Sequence, residues 1–275
     1  MRTIGCHARK GAEEGVGQMT ILSQVGALET EHHSPGISSK VVGIPKEESR
    51  LTEAITADAR ALLRPGSGRR LLLLEEVELG IGRPDALLLT VSPSALERRA
   101  QSSLRLANLT EAKVLGALTR GDLTTSGVTL SHAQTVTRSL RAKGWLDTNS
   151  VVRNVADVVG SSLLLEAKVS HWTRGIGQLM RVRWASHSVA LLVPKAATAL
   201  VPSIALQRNS IGLIACDDNN SLQWIQRGKC SALSQMARLW LTELAVRWLE
   251  QGRTYIPSSI ANESSDKSSW SIRVR

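Results

Sequence analysis

The residues of this 275-residue chain that could carry chemistry centre on one triplet, Glu166-Ala167-Lys168. The triplet closes the apolar run Leu163-Leu164-Leu165, and alternation along a strand puts Glu166 and Lys168 side by side on one face. A carboxylate so placed can ligate a hard divalent cation. A neighbouring ammonium can orient or activate a water and stabilise charge developing on a phosphate. Upstream, Pro84-Asp85 opens a second strand-length run, and its carboxylate meets the first if the two strands are neighbours. Two carboxylates and a lysine suffice for metal-assisted phosphodiester hydrolysis. The same residues also read as an ion pair across a sheet face, with Asp85 as a turn cap.

The surrounding pattern supplies elements to hold these groups. Residues 51–63 have helical periodicity, with Leu51, Ile55, Ala59 and Leu62 on one face, and Pro65-Gly66-Ser67-Gly68 stops the run. Two strands follow, 70–79 and 85–91, joined by the turn-rich Gly80-Ile81-Gly82-Arg83-Pro84. Beyond Ser92-Pro93 the pattern is helical, including 109–118 and 130–143. Strands are expected again at 161–168, 188–193, 211–216 and 222–226, with helices at 171–185, 196–205 and 232–250. Such alternation predicts an α/β layered sheet. Residues 1–49 read as a loosely ordered arm whose His32-His33 pair could bind metal but reads first as solvated surface, and 253–275 as a polar tail.

The motifs and their order resemble the PD-(D/E)xK nuclease superfamily of restriction endonucleases and Holliday-junction resolvases. Gly82-Arg83-Pro84-Asp85-Ala86-Leu87 matches its first motif and Leu165-Glu166-Ala167-Lys168 its second. The resemblance implies a restriction-endonuclease-like mixed sheet flanked by helices. It implies Mg²⁺, replaceable by Mn²⁺, bound by Asp85 and Glu166, with Lys168 positioning the attacking water. The family often has a Gln on the next helix, and Gln178 stands there. Some members add a Glu on the first helix, for which Glu53 is the best candidate and Glu78, on the first strand, a poorer one. Independently, Arg174, Gln178 and Arg181 share one face of helix 171–185, a surface suited to phosphates.

Asp85 and Glu166 lie 81 positions apart, so the nuclease-like core, 50–93 and 159–252, must carry an insertion at 94–158. Residues 130–146 resemble the recognition helix and strand entry of a winged helix-turn-helix, which would turn Ser131, Gln134, Thr135, Arg138 and Arg141 toward DNA. Charge agrees with a polyanionic partner. Lys and Arg number 34 against 24 Asp and Glu, a net +10, and residues 101–200 alone carry 12 basic against 5 acidic side chains. With no Phe and one Tyr, base stacking on aromatic rows is excluded as the means of binding.

Cys6, Cys216 and Cys230 fit neither a disulfide framework nor a zinc ribbon, which points to a reducing, cytoplasmic setting. No signal peptide or membrane span is expected. A GxSxG elbow and HExxH are both absent, which argues against hydrolases of those kinds. A second triplet, Glu111-Ala112-Lys113, falls in a helical pattern and reads as a solvated face. The expectation is therefore an Mg²⁺-dependent DNA endonuclease of restriction, phage defence or repair, with homodimerisation open and Trp240 and Trp248 as either core or dimer seam. The alternative is a non-catalytic winged-helix DNA-binding or regulatory protein on a nuclease-like scaffold.

Overall fold

Six apolar runs pair into one mixed sheet in chain order, β1 (Arg70–Glu75), β2 (Ala86–Val91), β3 (Val159–Ala167), β4 (Ser188–Pro194), β5 (Gly212–Cys216) and β6 (Leu222–Gln226), in the computed structural model. The structure describes residues 44–147, 152 and 157–256, all within one unit spanning 41–275. Most of the N-terminal arm, including His32-His33, and the tail beyond 256 lie outside the described residues. The pairs β1–β2, β2–β3 and β5–β6 are antiparallel, while β3–β4 and β4–β5 are parallel. Strands β2 and β5 are buried at every position, which is why they read as continuous apolar runs rather than as alternating ones.

Helices cover both faces, so the fold is α/β. One face presents Leu71, Leu88, Leu163, Leu165 and Leu192 to α1 (Ile44–Leu62), which buries Leu51, Ile55, Ala59 and Leu62 against them. The other presents Leu72, Leu87, Leu89, Leu164 and Leu191 to α5 (Trp172–Val182) and α7 (Gln235–Glu250). Neighbouring strands β2 and β3 are joined by residues 92–158, which carry α2 (Pro93–Gln101), α3 (Leu109–Leu118) and α4 (Leu130–Ala142). Their apolar residues, among them Leu96, Leu115 and Leu140, share the core of that second face. Between β4 and β5 runs the short α6 (Ser203–Arg208).

Several boundaries differ from the sequence expectation. Helix α1 begins at Ile44, so residues 44–49 belong to it and not to an arm. Strand β1 ends at Glu75 because Glu76 takes a positive φ of 48° and turns the chain. Residues 76–85 then form a short ribbon, held by Glu76 N–H donating to Asp85 O and Leu79 N–H to Gly82 O. Helix α7 buries Trp240 and Trp248 within the chain, together with Leu239, Leu241 and Val246 from other faces. It lies between the sheet and the inserted helices, so its tryptophans are core and form no dimer seam. The first residues of the supposed polar tail are also pinned. Ile256 N–H donates to Leu71 O at 3.0 Å, and the Tyr255 ring lies 5.8 Å from that of Trp248.

Candidate functional site

The β2–β3 register brings the sequence motifs together. Ala86 pairs with Leu165 and Leu87 with Leu164, so one step beyond β2 Asp85 stands opposite Glu166. Side chains facing each other in this way have Cβ atoms ~4.5–5.5 Å apart. Asp85 is fixed by the Ala167 N–H, which donates to its Oδ2 at 2.6 Å. Lys168 Nζ lies 2.8 Å from Glu166 Oε1, and its backbone N–H continues the sheet by donating to Leu192 O. Alternation therefore holds: Glu166 and Lys168 project on one face, above which α5 crosses. The crossing is close at Gly175, where a Cβ would stand 2.8 Å from Leu191 Cδ1, 3.0 Å from Lys168 Cγ and 3.7 Å from Glu166 Cγ. The glycine there allows the helix to lie directly on the site.

A fourth charge arrives from the other side of the sheet. Glu48, in the second turn of α1, puts Oε1 3.9 Å from Lys168 Nζ. Sequence reasoning had selected Glu53, yet Glu53 is exposed, accepts from Ser49 Oγ at 3.4 Å, and lines a surface hollow of about 380 Å³ with Thr56 and Glu75. At 100° per residue Glu48 falls among Leu51, Ile55 and Ala59 on the sheet-facing side, whereas Glu53 points well away. That wheel was the available signal. Glu78 also stays outside the site, exposed on the ribbon after β1 rather than on the strand.

Burial sets the electrostatics. The Glu166 side chain is 1% exposed, and burial, then the charge of Asp85, push its carboxyl up to about 7 against the hydrogen bond and charge of Lys168. Burial likewise raises Asp85, countered by the Ala167 N–H and Lys168. For Lys168, burial favours the neutral amine, but Glu166, Asp85 and Glu48 together outweigh it and hold the ammonium. Glu166 Oε2 is buried without a hydrogen-bond partner. Such an atom is costly unless something fills its coordination.

Among the described residues no group of three or more His, Cys, Asp and Glu side chains is gathered to hold a metal ion. The site offers the carboxylate pair Asp85 and Glu166, and the donor set is hard oxygen. That suits Mg²⁺, which is usually held by one or two carboxylates and otherwise by waters and substrate phosphate. The buried free oxygen of Glu166 fits the same group.

The remaining predicted residues are placed as follows. Gln178 stands one turn beyond Gly175, half-buried, with Oε1 also buried and unpartnered. Arg174 and Arg181 are exposed on the adjoining strip of α5, while Ile176, Leu179 and Val182 are buried. On α4, Ser131, Gln134, Thr135, Arg138 and Arg141 are all exposed, and Ala133, Val136 and Leu140 are buried. An antiparallel bridge, Leu146 to Val152, follows α4. Glu111 is a correction: it is buried, accepting from Ala107 N–H at 2.8 Å and Lys143 Nζ at 2.5 Å, because the chain before α3 and the end of α4 close over it. No described helix is long and apolar enough to cross a membrane.

No family model matches the chain, and no curated protein matches it. A solved structure to which it is similar is a protein of unknown function from Silicibacter pomeroyi, at 11% identity and a TM-score of 0.37, over 74% of this chain and 87% of that one.

Proposed function

We propose that the protein is a divalent-cation-dependent DNA endonuclease of the PD-(D/E)xK kind, with a winged-helix-like insertion that contacts DNA. The observation that carries this reading is the juxtaposition of Asp85, Glu166 and Lys168 at the end of β2 and β3, with an unpartnered Glu166 oxygen between buried walls. Held by Asp85 and Glu166, Mg²⁺ or Mn²⁺ would supply hydroxide at neutral pH and neutralise the leaving oxygen.

The chain's own groups do the rest. Asp85 and Glu166 hold the cation. Lys168 is kept as an ammonium by three carboxylates, so it serves as a donor that orients the attacking water and offsets phosphate charge, not as a base. The free Oε1 of Gln178 can accept from that water or from Lys168 as substrate enters. Arg174 and Arg181 are set to grip neighbouring phosphates. In the insertion, α3, a 3₁₀ turn at Leu123–Ser126, α4 and the Leu146–Val152 bridge follow the order of a winged helix-turn-helix, which supports α4 as the helix for the major groove.

The test is cleavage of plasmid and short duplexes with Mg²⁺, Mn²⁺ or EDTA. Wild type should cut with either metal, and Lys168→Ala should lose ~10³-fold in rate with DNA affinity nearly intact. The short Glu166–Lys168 contact favours a second reading, a DNA-binding protein in which the pair is structural. Salt-sensitive binding without cleavage by wild type would establish that reading instead.

A further inference from the structure

A second buried carboxylate, remote from the proposed metal ligands in sequence, sits where three parts of the chain meet. Glu243, in the middle of α7, is 1% exposed. Its Oε2 accepts from Arg99 Nη2 at 3.1 Å and from Leu106 N–H at 3.1 Å, and its Oε1 faces Arg247 Nε at 3.7 Å. Arg99, at the end of α2, also donates to Leu104 O and lies 4.9 Å over the ring of Trp145, just beyond α4. Trp145 Nε1 in turn donates to Arg105 O at 3.2 Å, and Arg247 donates to Leu106 O at 2.6 Å. One carboxylate thus ties α7 directly to the end of α2 and the chain before α3, and through Arg99 to Trp145 just after α4.

A parallel connection runs through α3. Lys143, which caps α4, pairs with Glu111 of α3, and Gly116 of α3 lies so close to α7 that a Cβ would stand 2.9 Å from the Met236 backbone N. Helix α7 is itself bonded to the sheet, Trp248 Nε1 donating to Leu73 O at 3.0 Å. Buried ion pairs seldom add net stability over apolar packing, and their best attested use is to fix one arrangement. Here the arrangement fixed is that of α4 relative to β2 and β3.

We propose that Glu243 is a positioning residue that holds the insertion, and with it α4, at one set distance from Asp85 and Glu166. Resting on the nuclease reading, the consequence is that DNA is cut at a constant offset from where α4 contacts it. A flexibly tethered reader would let the site reach several successive phosphates and so give scattered cuts.

The experiment places spin labels at Ser139 on α4 and Thr173 on α5, both exposed, in the full chain with its three cysteines replaced, and measures the distance distribution. A single narrow distance is expected for wild type, lost in Glu243→Ala and partly retained in Glu243→Gln. The same proteins, held well below their unfolding temperatures, are then given a defined duplex with Mg²⁺ and the product ends are mapped. One end position should become several in Glu243→Ala while the reaction still needs metal. A broad wild-type distribution, or a folded Glu243→Ala with wild-type distances and ends, overturns the proposal. Should Glu243→Ala not fold, the wild-type and Glu243→Gln distributions decide it. Narrow distances with no cleavage by any protein would remove the nuclease reading alone and leave the anchoring role standing.

Discussion

Glu166 and Glu243 are equally buried, each side chain 1% exposed, yet their surroundings differ. Glu243 has a charged partner at each oxygen: Arg99 and a backbone N–H donate to Oε2, and Arg247 Nε lies 3.7 Å from Oε1. Glu166 has one lysine on Oε1, nothing on Oε2, and a second acid directly across the sheet. Burial pushes Glu166 up to about 7, and Asp85 adds to the push. The fold places a cation or donor at both oxygens of one interior carboxylate and at only one oxygen of the other. That shortage is what the proposed cation would relieve at Glu166, whereas the partners of Glu243 are built in.

The largest contrast should appear in stability. Glu243→Ala leaves Arg99 5% exposed without its counter-ion, which costs on the order of 3–5 kcal/mol, or a fall in Tm of roughly 10 °C for a chain of this size. Denaturant titration at pH 7 measures it, and a loss under about 1 kcal/mol would erase the distinction between the two carboxylates.

Glu166→Gln should act in the opposite direction. The folded carboxyl titrates near 7 against an ordinary 4.5, so between those values the folded state keeps a proton that the unfolded chain has released. Stability is therefore full below the unfolded value and declines as pH rises through about 7, by ~3 kcal/mol in all. A glutamine does not titrate, so this variant should lack the decline and exceed wild type in Tm at pH 8, while losing cleavage. Mg²⁺ at tenfold its Kd should restore ~1.4 kcal/mol to wild type at that pH and nothing to Glu166→Gln. A flat wild-type profile between pH 5 and 8, or equal Mg²⁺ responses, would contradict this account.

What sequence could reveal of these two centres follows from how local each one is. Glu166 and Lys168 were legible as neighbours because a strand's period of two places them on one face, while Asp85, 81 positions away, was joined to them only through the resemblance to the nuclease motifs and now through the β2–β3 register. The sheet was legible for the same reason, through the apolar runs at β2, β3, β4 and β5. Glu243 was not, since its main partner Arg99 is 144 positions away. Glu111 was misjudged for a related reason: its burial depends on Lys143, 32 residues on, folding back over it. The start of α1 was missed because Lys46, Glu47, Glu48 and Arg50 make its first turns look like a charged arm.

Glu48 gives the smallest effect and the finest test of the contrast, because it belongs to the Glu166 centre yet is 40% exposed. At 3.9 Å from Lys168 it makes a partly solvated ion pair, of a kind worth ~0–1 kcal/mol. Glu48→Gln should therefore slow Mg²⁺-dependent cleavage only by up to ~5-fold. Its negative charge also helps to raise both Asp85 and Glu166, so removing it should shift the acid limb of the pH–rate profile to lower pH. Glu53→Gln, five residues along α1 but on its solvent side, should change neither quantity. A loss of ~100-fold in Glu48→Gln would instead make Glu48 a third ligand of the cation, since an exposed pair cannot supply ~2.7 kcal/mol. The carboxylate that completes the site would then come from the opposite face of the sheet, carried by α1, which packs there.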